Sequence, residues 1–279
     1  MPALFIGHGS PMNTLERNRY TETWRALGRS IPRPRAVLVV SAHWYIGATA
    51  VTAMERPETI HDFYGFPREL FEFRYPAPGA PEIASEIAEL LTPVPVGLDE
   101  EWGLDHGAWS VLAHLFPEAD VPVLQLSIDA RQPLEYHLEL GARLAALRER
   151  GILIIGSGNV VHNLRRIDRR LAEQGFDWAV RFDEAVAEIM CGAPGEILSV
   201  TRHPDFGVAV PSTDHFIPLV YIAGVACGGG SPGPMHSPSS PGPSPLQGER
   251  DVRVLVRGCT FGSISMTCFG VGLAERVNG

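Results

Sequence analysis

Short, continuous apolar runs alternate with longer stretches of helical periodicity along most of the chain. The runs at Ala3–Ile6, Ala36–Ser41, Val121–Ser127 and Ile152–Ile155 lack polar alternation, as expected of parallel strands buried on both faces. Further strands are expected at Val51–Met54, Val94–Leu98, Val252–Val256 and Ser263–Phe269. Between them the spacing predicts helices at Arg19–Gly28, Pro81–Leu91, Gly107–Phe116, Pro133–Arg150, Trp178–Cys191 and Phe216–Ala226. Pro81 suits a first helical turn, and the helix carrying Leu138, Leu140, Leu144 and Leu147 should stop at Gly151. Strands alternating with helices of this length predict an α/β fold: one domain spanning 1–279, with a central, mostly parallel sheet flanked by helices.

Two stretches break the pattern. Residues 55–79 are rich in proline, glycine and aromatics, and are expected to form a long functional loop or lid. Residues 227–250, CGGGSPGPMHSPSSPGPSPLQGER, are almost devoid of apolar side chains and read as a disordered surface insertion, in which His236 is incidental.

Ligands of open α/β sheets bind beyond the carboxyl ends of the strands. His8 stands there in GHGSP, His43 in SAHW after AVLVV, and His162 in GSGNVVHN after ILII. His106 opens a helix in DHGAW, and His215 begins the apolar helix after VPSTD with Asp214 beside it. Histidine is both the commonest transition-metal ligand and the side chain best suited to proton transfer near neutrality. These five are therefore the candidate site, whereas His114, His137 and His203 are expected to be structural or surface residues. The ligands are scattered, and no local zinc signature, GxSxG elbow or GxGxxG loop is present.

Composition narrows the chemistry. The net charge is −9 without a basic stripe, which argues against nucleic-acid binding. All 23 cationic residues are arginine, so Schiff-base, pyridoxal-phosphate and P-loop lysine chemistry are excluded. The four cysteines, Cys191, Cys227, Cys259 and Cys268, form no CxxC pair and read as reduced thiols of a cytoplasmic protein. No apolar stretch approaches the ~20 residues of a membrane span, and no partner membrane is expected.

The segments MPALFIGHGSPMN, VVSAHWY, TIHDFYGFP, YPAPGAP, DHGAWSVL, QLSID, SGNVVHNLR and DHFIPLVY together resemble the 4,5-DOPA extradiol dioxygenase family, within the class III extradiol ring-cleavage dioxygenases. The likeness runs in order from Met1 to about Gly272, and is weaker across 165–205. It implies an α/β fold with one divalent metal ion, Zn²⁺ or Fe²⁺, at the strand ends. By the same resemblance His8, His43, His162 and His215 belong to the metal site, with Fe(II) held by His8, His43 and His215. His162 is then a fourth ligand or a base, and His106 an acid–base or substrate-contact residue. The implied partners are a catechol such as L-DOPA and O₂, in a monomer or small homo-oligomer. His61, Tyr64 and Phe66 are expected over the substrate ring, and Trp44 and Tyr45 in the core or pocket wall. Two other functions remain open on the same residues: a zinc-dependent hydrolase, and a non-catalytic metal-binding module.

Overall fold

The structure, a computed structural model, describes residues 1–228 and 251–274. The 227–250 insertion therefore lies outside the described residues apart from its first two positions. Ten strands and eight α-helices are found among the described residues: β1 Ala3–Gly7, β2 Ala36–Ile46, β3 Ala50–Thr52, β4 Gly97–Asp99, β5 Val123–Asp129, β6 Ile152–Gly158, β7 Val252–Val256, β8 Cys259–Thr260, β9 Ile264–Ser265 and β10 Cys268–Val271. The helices are α1 Arg19–Ser30, α2 Arg68–Glu72, α3 Pro81–Leu90, α4 His106–Leu115, α5 Leu134–Leu144, α6 Asp177–Gly192, α7 Phe206–Ala209 and α8 Ile217–Cys227. The main sheet runs β4-β3-β5-β2-β6-β1-β10-β7. Its centre, β5-β2-β6-β1, is parallel, and antiparallel pairings occur only between β3 and β5, β1 and β10, and β10 and β7.

Both faces of the central strands are covered, which is why their sequences carry no polar alternation. Ala36, Leu38 and Val40 of β2 pack into one core with Leu140, Val220 and Ile222. Val37 and Val39 face the other core with Trp24, Trp109 and Leu112. Each such buried aliphatic side chain contributes roughly 1.5–3 kcal/mol by area. Helix α8 lies between β6 and α5 and is buried throughout, so its apolar residues occur on every side. Cys259 and Cys268 are buried, which raises both thiols to about 12 and keeps them unreactive near neutrality.

The structure departs from the sequence reading at several boundaries. Strand β2 continues past Ser41 to Ile46. Val40 pairs with Leu126 while Tyr45 pairs with Ile128, so the intervening segment bulges from the β5 ladder. The helix expected over Pro133–Arg150 ends at Leu144 and tightens into a 3₁₀ turn, Ala145–Arg148. Leu144 and Leu147 are both buried, so the apolar period continues across the change. The expected strand Ser263–Phe269 divides into β9 and β10, which pair with β8 and β1 respectively. Ser265 and Thr267, near the division, donate hydroxyl bonds of 2.6 and 2.9 Å to buried Asp183. Strand β4 is shorter than expected, and the 55–79 loop contains the single turn of helix α2.

Candidate metal centre

Each of the five histidines is placed by a different element. His8 follows β1, and its backbone N–H donates to Gly158 O at the end of β6 (3.1 Å). His43 lies in the bulge of β2. His162 follows β6, its N–H donating to Ala209 O. His215 precedes α8, which crosses β6 closely: a Cβ on Gly158 would stand 2.2 Å from His215 O. His106 is the first residue of α4, capped by Asp105, whose Oδ1 accepts from Ala108 N at 3.2 Å. Asp105 is fully buried and also accepts from Ser41 Oγ (2.7 Å) and Gln125 Nε2 (2.6 Å), fastening the helix start to β2 and β5.

Two imidazoles, His8 and His215, are oriented by acceptors at Nδ1, and that of His43 approaches a carboxylate there. Ser157 donates its only hydroxyl proton to Gly107 O (2.6 Å), so the 2.9 Å contact with His8 Nδ1 requires His8 to be the donor. His215 Nδ1 donates to Asp214 Oδ2 at 2.5 Å, and His43 Nδ1 faces Asp62 Oδ2 at 3.1 Å. With Nδ1 protonated, each neutral ring turns an Nε2 lone pair inward. The Nε2 atoms of His8 and His43 are 3.2 Å apart, and the donor atoms of His8, His43 and His215 all lie within 4.8 Å of one another. Two lone pairs at that distance repel unless a cation lies between them, so the donor set fits a divalent metal held by neutral imidazoles.

Asp62 is the residue that reading the sequence passed over. Its Oδ1 stands 2.9 Å from His106 Nδ1 and also accepts the His106 backbone N–H at 2.9 Å. One carboxylate thus faces both His43 and His106. Burial disfavours its charge, but the paired histidines hold its pKa far below the usual carboxylate range. Its signal in the sequence is the motif TIHDFYGFP, where it stands next to His61. His61 instead places Nε2 3.0 Å from Phe73 O.

A cavity of about 480 Å³ opens over the cluster, lined by His8, His43, His106, His162 and His215 together with Met12, Phe63, Phe66, Phe261 and Ile264, among others. Phe66 lines the cavity. Tyr64 and His61 are not among the lining residues; Tyr64 is 92% exposed, and Phe63 occupies the wall. Trp44 is buried and stacks on Trp102 at 5.6 Å, outside the cavity. His162 stacks on His215 with centroids 3.5 Å apart. Phe261 holds a left-handed φ of 53°, a costly conformation for a bulky residue and one that recurs at ligand walls.

Gly107 is required by close packing. A Cβ there would lie 2.5 Å from Ser41 Oγ and 2.9 Å from His43 Cδ2. Gly107→Ala is expected to cost roughly 1–3 kcal/mol and to displace His43, so thermal melting and metal content should both fall.

Burial depresses His215 and His137 to about 4 and His162 to about 2. Burial also opposes charge on His43, but hydrogen bonding to Asp62 and the charges of Asp105, Asp62 and Asp214 outweigh it, giving a net rise. An unfolded histidine titrates near ~6.5. For the depressed group the unfolded chain binds more protons below that value, so stability is full above it and falls as pH drops from ~6.5 towards the folded values. His43 contributes oppositely, its stabilisation being lost as pH rises through its folded pKa. His8, His106 and His114 are lowered as well, so six depressed histidines stand against one raised, and the metal-free protein should melt roughly 5–10 °C lower at pH 5 than at pH 7 by differential scanning fluorimetry. A flat or rising profile would contradict this balance.

The fold and the site together define an α/β protein with a histidine cluster able to hold a metal ion at an aromatic-walled cavity. Residues 2–238 match the family model described as the catalytic LigB subunit of aromatic ring-opening dioxygenase. The chain belongs to that family, and is an extradiol aromatic ring-opening dioxygenase in class. It is 44% identical to a 4,5-DOPA dioxygenase extradiol of Escherichia coli K12 over 98% of this chain and 95% of the relative. It is 37% identical to a 4,5-DOPA dioxygenase extradiol of Beta vulgaris, over 80% of this chain and 85% of that one. A crystal structure of an uncharacterized protein from Escherichia coli K12 aligns with TM-score 0.79 and 40% identity, covering 98% of this chain and all of the other. No helix among the described residues is long and apolar enough to cross a membrane.

Proposed function

We propose that this dioxygenase opens the aromatic ring of a catechol such as L-DOPA, adding both atoms of O₂ to the product, with one Fe(II) bound by His8, His43 and His215. The observation that carries this reading is the convergence of inward-facing Nε2 atoms at a cavity with aromatic walls. Held by these three residues, Fe(II) would supply the redox chemistry that couples a catechol to O₂, which redox-inert zinc would not. The cavity is within the usual size range of small-ligand sites, and Phe63, Phe66 and Phe261 offer apolar surface to a ring.

His106 is the proposed acid–base residue. Burial and the neighbouring His43 lower its pKa more than Asp62 raises it, so the ring is neutral near pH 7 and able to accept a catechol proton. The carboxylate of Asp62 at its Nδ1 would then stabilise the imidazolium until the proton is returned. His162, held neutral by burial and by its neighbour His215, is proposed to hydrogen-bond and orient substrate at the cavity rather than to carry charge.

The test is anaerobic reconstitution with Fe(II) followed by L-DOPA and air. A yellow ring-cleavage product is expected from iron-loaded protein alone. Turnover of a carboxyl or phosphoryl ester by zinc-loaded protein without O₂ would instead select the hydrolase, and the absence of any turnover would favour the binding module.

A further inference from the structure

The catechol ring accounts for only part of the cavity's chemistry. Apart from the five histidines, Arg169 is the one charged side chain among the lining residues; the rest are apolar, glycine, Ser10 and Thr260. No carboxylate is among them. The Arg169 segment is fastened to the cavity wall: Asp168 N–H donates to Phe261 O at 2.9 Å, and Ile167 and Phe261 both line the cavity. The nearest acid in sequence is already engaged, since Asp168 holds Arg170 at 2.7 Å. The guanidinium of Arg169 takes part in no ion pair or side-chain hydrogen bond recorded among the described residues. A planar fork of donors beside an otherwise uncharged wall is matched to a carboxylate.

We infer that Arg169 binds a carboxylate on the substrate's side chain, so that the cavity selects catechols with an anionic tail and does not read an amino group. The inference rests on the ring-opening reading for its substrate, but not for its binding test. An amino acid and its deaminated acid should serve equally, whereas an amine lacking the carboxylate should be disfavoured.

The experiment compares 3,4-dihydroxyphenylpropionate, L-DOPA, 4-methylcatechol and dopamine on the iron-loaded wild type and on Arg169→Gln, Arg169→Lys and Arg169→Glu. In Arg169→Gln the ratio of kcat/KM for dihydroxyphenylpropionate to that for 4-methylcatechol should fall about tenfold, chiefly through KM. Arg169→Lys should recover part of it, and Arg169→Glu should shift preference towards dopamine. An equal loss on all four substrates, or unchanged preferences in Arg169→Glu, would overturn the inference. If the wild type cleaves no catechol, the ring-opening reading fails. Arg169 is then judged by anaerobic calorimetry with dihydroxyphenylpropionate and 4-methylcatechol: selective weakening of the former in Arg169→Gln supports the assignment, and equal binding to both proteins refutes it.

Discussion

Replacing His43 with alanine is expected to lower metal content from about one ion per chain to a small fraction, and ring cleavage on the order of a thousandfold or more. His43 supplies one of three inward Nε2 atoms, and its Nε2 is 3.2 Å from that of His8. Removing it leaves two protein donors, too few for a divalent ion to hold its open coordination positions against chelators. His8→Ala and His215→Ala should behave alike, because the proposed centre takes one imidazole nitrogen from each of the three rings. His61→Ala and Tyr64→Ala provide the contrast. One ring is turned to Phe73 O and the other is exposed, so both variants should keep their metal. Elemental analysis of the purified variants, beside product formation, checks this. Loss of metal in His61→Ala, or its retention in His43→Ala, would mean that the centre is misassigned.

Asp62→Asn is expected to be the most damaging change outside the inward-facing histidines. The carboxylate faces the ring nitrogens of His43 and His106 and accepts a backbone N–H, all through two oxygens. An amide of the same shape turns one of those acceptors into a donor. One histidine must then abandon its tautomer or its orientation. Metal affinity should fall by roughly 10–100-fold, as for other residues that orient a ligating imidazole. Turnover at saturating Fe(II) should fall a further ~10²-fold, because the imidazolium of His106 loses its counter-charge. A chelator competition titration reads the first effect, and kcat at saturating iron reads the second. Reduced affinity with an unchanged kcat would remove His106 from proton transfer while leaving Asp62 as a positioning residue.

How much of this was legible in the sequence follows from what each signal depends on. The central strands were readable because burial on both faces leaves an unbroken apolar run, as in Ala36–Val40. The histidines were readable because parallel strands deliver their carboxyl ends to one edge of the sheet. The bulge that aims His43 was hidden: it is a mismatch between β2 and β5, and neither strand encodes it alone. Asp62 and the inward turn of Phe63 in place of Tyr64 were hidden for a related reason. In an irregular loop no period assigns neighbouring side chains to opposite sides, so TIHDFYGFP names the participants without saying which face the cavity. Arg169 was hidden because its segment shows no strong family likeness and its place at the cavity depends on the wall formed by Phe261, far along the chain.

Both atoms of O₂ are proposed to enter a catechol ring at this histidine cluster. Oxygen-electrode stoichiometry on the iron-loaded protein with limiting L-DOPA tests it most directly. One O₂ consumed per catechol, with no O₂ returned on adding catalase, is the predicted result. Return of O₂ with catalase would reveal oxidation to a quinone with peroxide release, and no uptake at all would show that the centre does not activate oxygen; either would contradict the account.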